Sequence, residues 1–155
     1  MLLLRRLSWR FAVSKDDSYL YMRGEMKRRW LDRALLNCSS HYTLCLTEKD
    51  FHAVLKAHHL PLADWPNFII NAHSNATTHF LYSNEHCQQS AVVCLRVDGE
   101  RTGAQIAGIL VHEAVHIFQQ SMFDYGEKTP SDELQAYGIQ TISQRLMESY
   151  TEQTK

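Results

Sequence analysis

The amino-acid sequence predicts an α+β domain in which a small, mostly antiparallel sheet packs on a central helix. Two β-favouring segments, "HFLYS" and "SAVVCLRV", are separated by little more than the polar stretch "NEHCQQ", which predicts two neighbouring antiparallel strands. Long helical patterns follow these strands instead of alternating with them, as is typical of α+β folds. A chain of 155 residues that is 45% hydrophobic is long enough for one substantial core, so residues 1–155 are interpreted as one domain.

The charged residues are unevenly distributed along a chain whose formal net charge is only -1. Residues 1–33 contain nine Lys or Arg against four Asp or Glu, and residues 22–37 have a helical pattern with a basic side. This basic helix is either a surface for an acidic protein partner or a solvated face, and residues 1–20 are a candidate flexible arm. Because the sequence has no signal peptide and no apolar run of about 20 residues, we expect a cytoplasmic protein without a membrane partner.

Local signals predict the elements of the first half of the chain. The segment "HYTLCL" predicts a short strand, and Thr47 with Asp50 predicts the start of a helix that ends before Pro61. The next segment, "PLADWPNFIINAHSNATT", contains two prolines and several turn-forming residues. It therefore predicts a loop around one extended piece, "NFII".

Two long helices with capping signals are predicted in the second half. Thr102 and Gln105 form a capping box for a helix over about residues 103–122, which is apolar nearly all round and is therefore expected in the centre of the core. After a loop, Ser131 is placed to cap a last helix whose apolar residues recur at helical spacing.

The central helix contains "ILVHEAVHIFQQ", in which His112, Glu113 and His116 interrupt an apolar run. Two histidines four residues apart lie on one face of a helix, where one zinc ion can bind both imidazoles. Glu113 lies on the flank of that pair, from which a carboxylate can act as general base on a water that a metal activates. The pattern therefore predicts two metal ligands and a catalytic base within one helical turn.

A catalytic zinc site needs a third protein ligand, and Glu133 is the predicted one. It lies near the start of the last helix, 17 residues after His116, and the intervening loop is long enough to fold that helix back. Tyr137, four residues later, shares the face of Glu133, so its hydroxyl is predicted to bond a ligand or to stabilise an oxyanion. The predicted cofactor is one Zn²⁺, although two histidines and a glutamate also accept other divalent ions.

These residues resemble the zincin metallopeptidases, and more narrowly the gluzincins, whose third ligand is a downstream glutamate. By position, His112, His116 and Glu133 match the family's ligands and Glu113 its catalytic glutamate, whereas Tyr137 stands where thermolysin-like enzymes have aspartate. "DELQAY" looks like a pattern of small phage and prophage zincin-like proteins. The resemblance covers about residues 91–145 and implies a minimal zincin-like domain, a peptide or protein substrate, and an edge strand that pairs with an extended peptide. "SAVVCLRV" is either that edge strand or an interior strand.

The leading functional prediction is a zinc metallopeptidase with Glu113 as general base, and other interpretations stay open. A catalytically silent zincin-like protein can use the metal as a clamp and act as a binding or assembly factor, for example in phage morphogenesis or host interaction. His112 and His116 can also be hydrogen-bonded core histidines without a metal. A role on DNA, as in SprT-like peptidases, is disfavoured because that family has a histidine as third ligand and no histidine follows His116.

Overall fold

The computed structural model describes residues 40–83 and 88–155, which form a three-stranded sheet and three α-helices. The α+β class is therefore confirmed, while the basic helix over 22–37 and the arm over 1–20 lie outside the described residues. In chain order the elements are β1 (Ser40–Cys45), α1 (Glu48–Ala57), a short 3-10 helix (Leu62–Asp64), β2 (Ala76–Ser83), β3 (Gln88–Leu95), α2 (Gly103–Asp124) and α3 (Asp132–Gln153).

The sheet is mixed, with β3 in the centre and β1 and β2 at its sides. β3 runs antiparallel to β2, as predicted, but parallel to β1, so the prediction of a mostly antiparallel sheet is wrong for one of its two strand pairs. The segment "SAVVCLRV" thus contains the interior strand and not an edge. Residues 91–95 are completely buried, and a strand that is apolar on both faces is best shielded between two others.

Each face of the sheet is covered by its own apolar cluster. α1 and the segment over residues 60–69 cover one face, while α2 and α3 cover the other. α2 lies against β2, and α3 lies against β1. The helix with the two histidines is therefore positioned over an edge strand. The cluster under α2 and α3 includes Tyr42, Leu44, Ala91, Val93, Leu95, Leu110, Ala114, Ile117, Ile142 and Leu146.

The predicted helix starts are confirmed by their hydrogen bonds. Thr102 and Gln105 form both bonds of the capping box, and Ser131 Oγ accepts from the backbone N–H of Leu134. The piece "NFII", predicted to be extended, forms bends instead. Its apolar side chains Phe68 and Ile69 pack against the cluster under α1, and this tertiary packing overrides their local β preference.

α2 is buried along one side only, although its sequence is apolar nearly all round. Leu110, Ala114 and Ile117 are completely buried, whereas Val111 and His112 are exposed.

Among the described residues, no helix combines the length and the apolar character that crossing a membrane requires.

Candidate metal and hydrolytic site

His112 and His116 form a close pair on the solvent side of α2. Their Nε2 atoms lie 3.1 Å apart, and the two rings are nearly perpendicular, with centroids 4.8 Å apart. Both side chains are exposed, which excludes the interpretation of two buried core histidines. The predicted juxtaposition of the imidazoles is therefore observed.

The distance between the two Nε2 atoms fits two ligands of one metal ion. With Zn–N bonds of about 2.0–2.1 Å, two nitrogens of a tetrahedral site lie about 3.3 Å apart. The same 3.1 Å separation also suits a hydrogen bond in which one neutral imidazole donates to the other. The pair thus has the spacing of a two-histidine metal site and remains accessible from solvent.

Glu113 differs from its two histidine neighbours because it faces the sheet. Only 5% of its surface is exposed, and Thr78 Oγ1 on β2 donates a 2.6 Å hydrogen bond to its Oε2. This distance is typical of a charge-assisted O–H···O⁻ bond, which is stronger than a bond between neutral groups. One carboxylate oxygen of the motif is therefore held in a defined position.

The sequence reasoning did not identify Thr78. Thr78 pairs with Val93 of β3, and Val93 belongs to the cluster under α2, so the pleat turns the Thr78 hydroxyl toward that helix. Its neighbour on β2, His79, points to the opposite face. That Thr78 faces α2 can be predicted only once the register of β2 is known.

His79 is buried on the α1 face of the sheet, and this burial affects its pKa. Its Nε2–H donates to the Phe68 carbonyl at 3.2 Å, and its ring stacks on Phe51 with centroids 4.6 Å apart. Burial lowers the pKa of His79, while the bond to Phe68 and the charge of Glu113 act in the opposite direction. Burial thus favours the neutral form of His79, which is separated from the histidine pair by the sheet.

Glu133 and Tyr137 lie on α3 and are both exposed, Tyr137 to 60%. Glu133 is in the first turn, nine residues before the buried Ile142 and thus about half a turn around the helix from it. Within residues 40–83 and 88–155, no three His, Cys, Asp or Glu side chains are arranged to hold a metal ion. The structure thus brings His112 and His116 together but does not gather Glu133 with them.

A cavity of about 520 Å³ adjoins the motif on the side of Glu113 and His112. Its walls come from the segment before and at the start of β2, from Arg101, and from the first turns of α2. The sequence reasoning missed this wall because residues 73–76 and Arg101 are distant from the motif in sequence. The lining residues are His73, Ser74, Asn75, Ala76, Arg101, Gln105, Gly108, Ile109, His112 and Glu113.

Comparisons of the chain with protein-family models, with curated proteins and with solved structures give no match. The zincin resemblance thus depends on the motif and its spacing.

Proposed function

We propose that this protein is a zinc-dependent peptide hydrolase in which His112 and His116 bind the metal and Glu113 is the general base. The observation that carries the proposal is the 3.1 Å approach of the two Nε2 atoms in the same helical turn as a buried carboxylate held by Thr78. Two exposed imidazoles and one oriented acid within a single helical turn are the groups that metal-assisted hydrolysis needs.

Each residue of the motif has a distinct role in this proposal. When bound, the zinc ion lowers the pKa of a water molecule toward about 7 and polarises the substrate carbonyl. Glu113 accepts a proton from the attacking water and returns it to the leaving amine. The bond from Thr78 fixes Oε2, which leaves Oε1 to exchange the proton. The burial of Glu113, which is only 5% exposed, limits competing hydrogen bonds from bulk water.

α3 carries the two other residues that the proposal uses, Glu133 and Tyr137. Glu133 stays the predicted third ligand and Tyr137 the predicted oxyanion donor, each because of its spacing from the motif. In the described arrangement both side chains are exposed, and Glu133 is not grouped with the histidine pair.

A second candidate function is a metal-dependent binding or assembly protein. The observation that favours it is that the described residues bring together only two metal ligands instead of three. A metal held by two exposed histidines leaves coordination positions for side chains of another molecule. In that case Glu113 would position His112 and His116 through the helix and would not transfer a proton.

Cleavage by a Glu113→Gln variant separates the two functions. If Glu113 is the base, this variant keeps its bound zinc and loses about 10²- to 10⁴-fold of the cleavage rate on a library of peptides and unfolded proteins. Glu148→Gln, which changes an exposed glutamate of α3, is the matched control and should cleave as wild type does. Unchanged cleavage by Glu113→Gln would contradict the proposed base, and an inert wild type would favour the binding protein.

A further inference from the structure

We propose that the cavity next to Glu113 binds a carboxylate of the substrate and that Arg101 is the cation that recognises it. This inference rests on the proposed hydrolase, because it assigns the substrate group that lies beside the hydrolytic motif. It assigns a residue outside the motif, since Arg101 precedes α2 and contacts the segment before β2.

Arg101 is held rigidly at the wall of the cavity. Its Nη1 donates to the backbone carbonyls of Arg96 at 2.8 Å and of Asp98 at 2.9 Å. Its Nη2 donates to Asn75 Oδ1 at 2.7 Å, and its side chain is only 20% exposed. A guanidinium positioned in advance loses little conformational freedom when it binds an anion.

The hydrogen bonds of Arg101 leave part of its binding capacity unused. A guanidinium has five N–H donors, and the three bonds to Arg96, Asp98 and Asn75 occupy three of them. The Nε–H and one Nη2–H remain. The Asp98 carboxylate is 3.9 Å from Nη1 and 71% exposed, so solvent screens its charge. Asp98 therefore neutralises the charge of Arg101 only weakly.

The remaining wall of the cavity suits the end of a short peptide. Asn75 and Gln105 supply side-chain amides, and a volume of about 520 Å³ is within the range of small-ligand sites. A Cβ built on Gly108 would meet no atom within 4 Å, so a larger side chain would fit here without a clash. The absence of a side chain at Gly108 therefore leaves space in the cavity. The cavity thus combines a fixed cation, neutral donors and free space next to Glu113.

Binding of a small peptide acid and its amide to metal-free protein tests this site without using catalysis. The probes are N-acetyl-dialanine with a free C-terminal carboxylate, its C-terminal amide, and an amidated peptide with one internal glutamate. Removing the metal with a chelator prevents the carboxylate from binding a metal ion instead. We expect wild type to bind the acid at least about tenfold more tightly than the amide, as one charge-assisted bond provides.

Two variants assign the effect to the cavity. Arg101→Gln should abolish the preference for the acid, and Gly108→Leu should weaken both probes by filling the space while favouring the helix. Since Arg101 also bonds two carbonyls, Gly108→Leu keeps the test valid if Arg101→Gln is poorly folded. Arg145→Gln, at a surface ion pair with Glu148, is the charge-matched control and should keep the preference.

The outcomes of this test separate the site from the hydrolase. Equal binding of acid and amide, a preference for the acid that survives Arg101→Gln, or unchanged binding of both probes by Gly108→Leu overturns the carboxylate site. Arg101-dependent binding of the amidated glutamate peptide supports the site with a side chain as the carboxylate source. Arg101-dependent binding of the acid by a protein that cleaves nothing supports the site while the hydrolase fails. Cleavage without any preference for the carboxylate supports the hydrolase and overturns the site.

Discussion

The hydrogen bond between Thr78 and Glu113 links β2 to the His-Glu-x-x-His motif of α2, and replacing Thr78 by valine removes it. Valine keeps the shape of threonine but leaves a carboxylate that is 5% exposed without the 2.6 Å bond. A hydrogen bond to a charged group contributes about 1.5–3 kcal/mol. We therefore expect Thr78→Val to lower the free energy of unfolding by about 2 kcal/mol, which corresponds to about 4–8 °C in Tm for a chain of this size.

A double-mutant cycle in urea denaturation measures this link directly. Glu113→Met removes the carboxylate and keeps a long, unbranched side chain, so the double variant has no buried group in need of a partner. The Thr78→Val and Glu113→Met double variant should therefore be more stable than Thr78→Val alone. Thr78→Ser keeps the hydroxyl and serves as the control. A coupling free energy below about 0.5 kcal/mol would refute the reasoning, since additive sites differ by no more than that.

Two further predictions concern the core and the pH dependence of stability. Leu110→Ala should lower the free energy of unfolding by about 2–5 kcal/mol because Leu110 is completely buried. Val111→Ala, on the exposed side of α2, should change it by about 0.5 kcal/mol or less. Similar losses of stability for the two variants in urea denaturation would contradict the assigned faces of α2. Burial lowers the pKa of His79 below its ordinary 6.5, so the unfolded chain binds the proton more readily and the stability present above pH 6.5 is lost as the pH falls. His79→Gln should reduce this slope in thermal unfolding between pH 7.5 and 5, and an unchanged slope would show that other groups, including His58, cause it.

The sequence predicted features that depend on local spacing. The caps at Thr47, Thr102 and Ser131 were predictable because each cap bonds a backbone group only three residues away. The close approach of His112 and His116 was predictable for the same reason, since four residues make about one helical turn.

Features that depend on tertiary packing were not predictable in this way. The apolar residues of β3 left both an interior and an edge strand open, and its position between β1 and β2 was decided by packing on both faces of the sheet. Predicting the bond between Thr78 and Glu113 requires knowledge of the register of β2. Predicting that Arg101 lines the cavity requires knowledge of the path of residues 73–76, which form another part of its wall. The orientation of Glu133 depends on the face by which α3 packs, which Ile142 and Leu146 determine.

The content and affinity of zinc in purified protein test the central claim most directly. Wild type, His112→Ala, Glu133→Ala and the control His59→Asn, which changes an exposed histidine outside the motif, are compared by elemental analysis and by zinc titration. Unchanged affinity in Glu133→Ala would show that Glu133 is not the third ligand but would leave the histidine pair standing. We predict about one zinc ion per chain in wild type and in His59→Asn, and its loss in His112→Ala. A wild type without stoichiometric metal, or a His112→Ala variant with unchanged affinity, would contradict the proposed metal site.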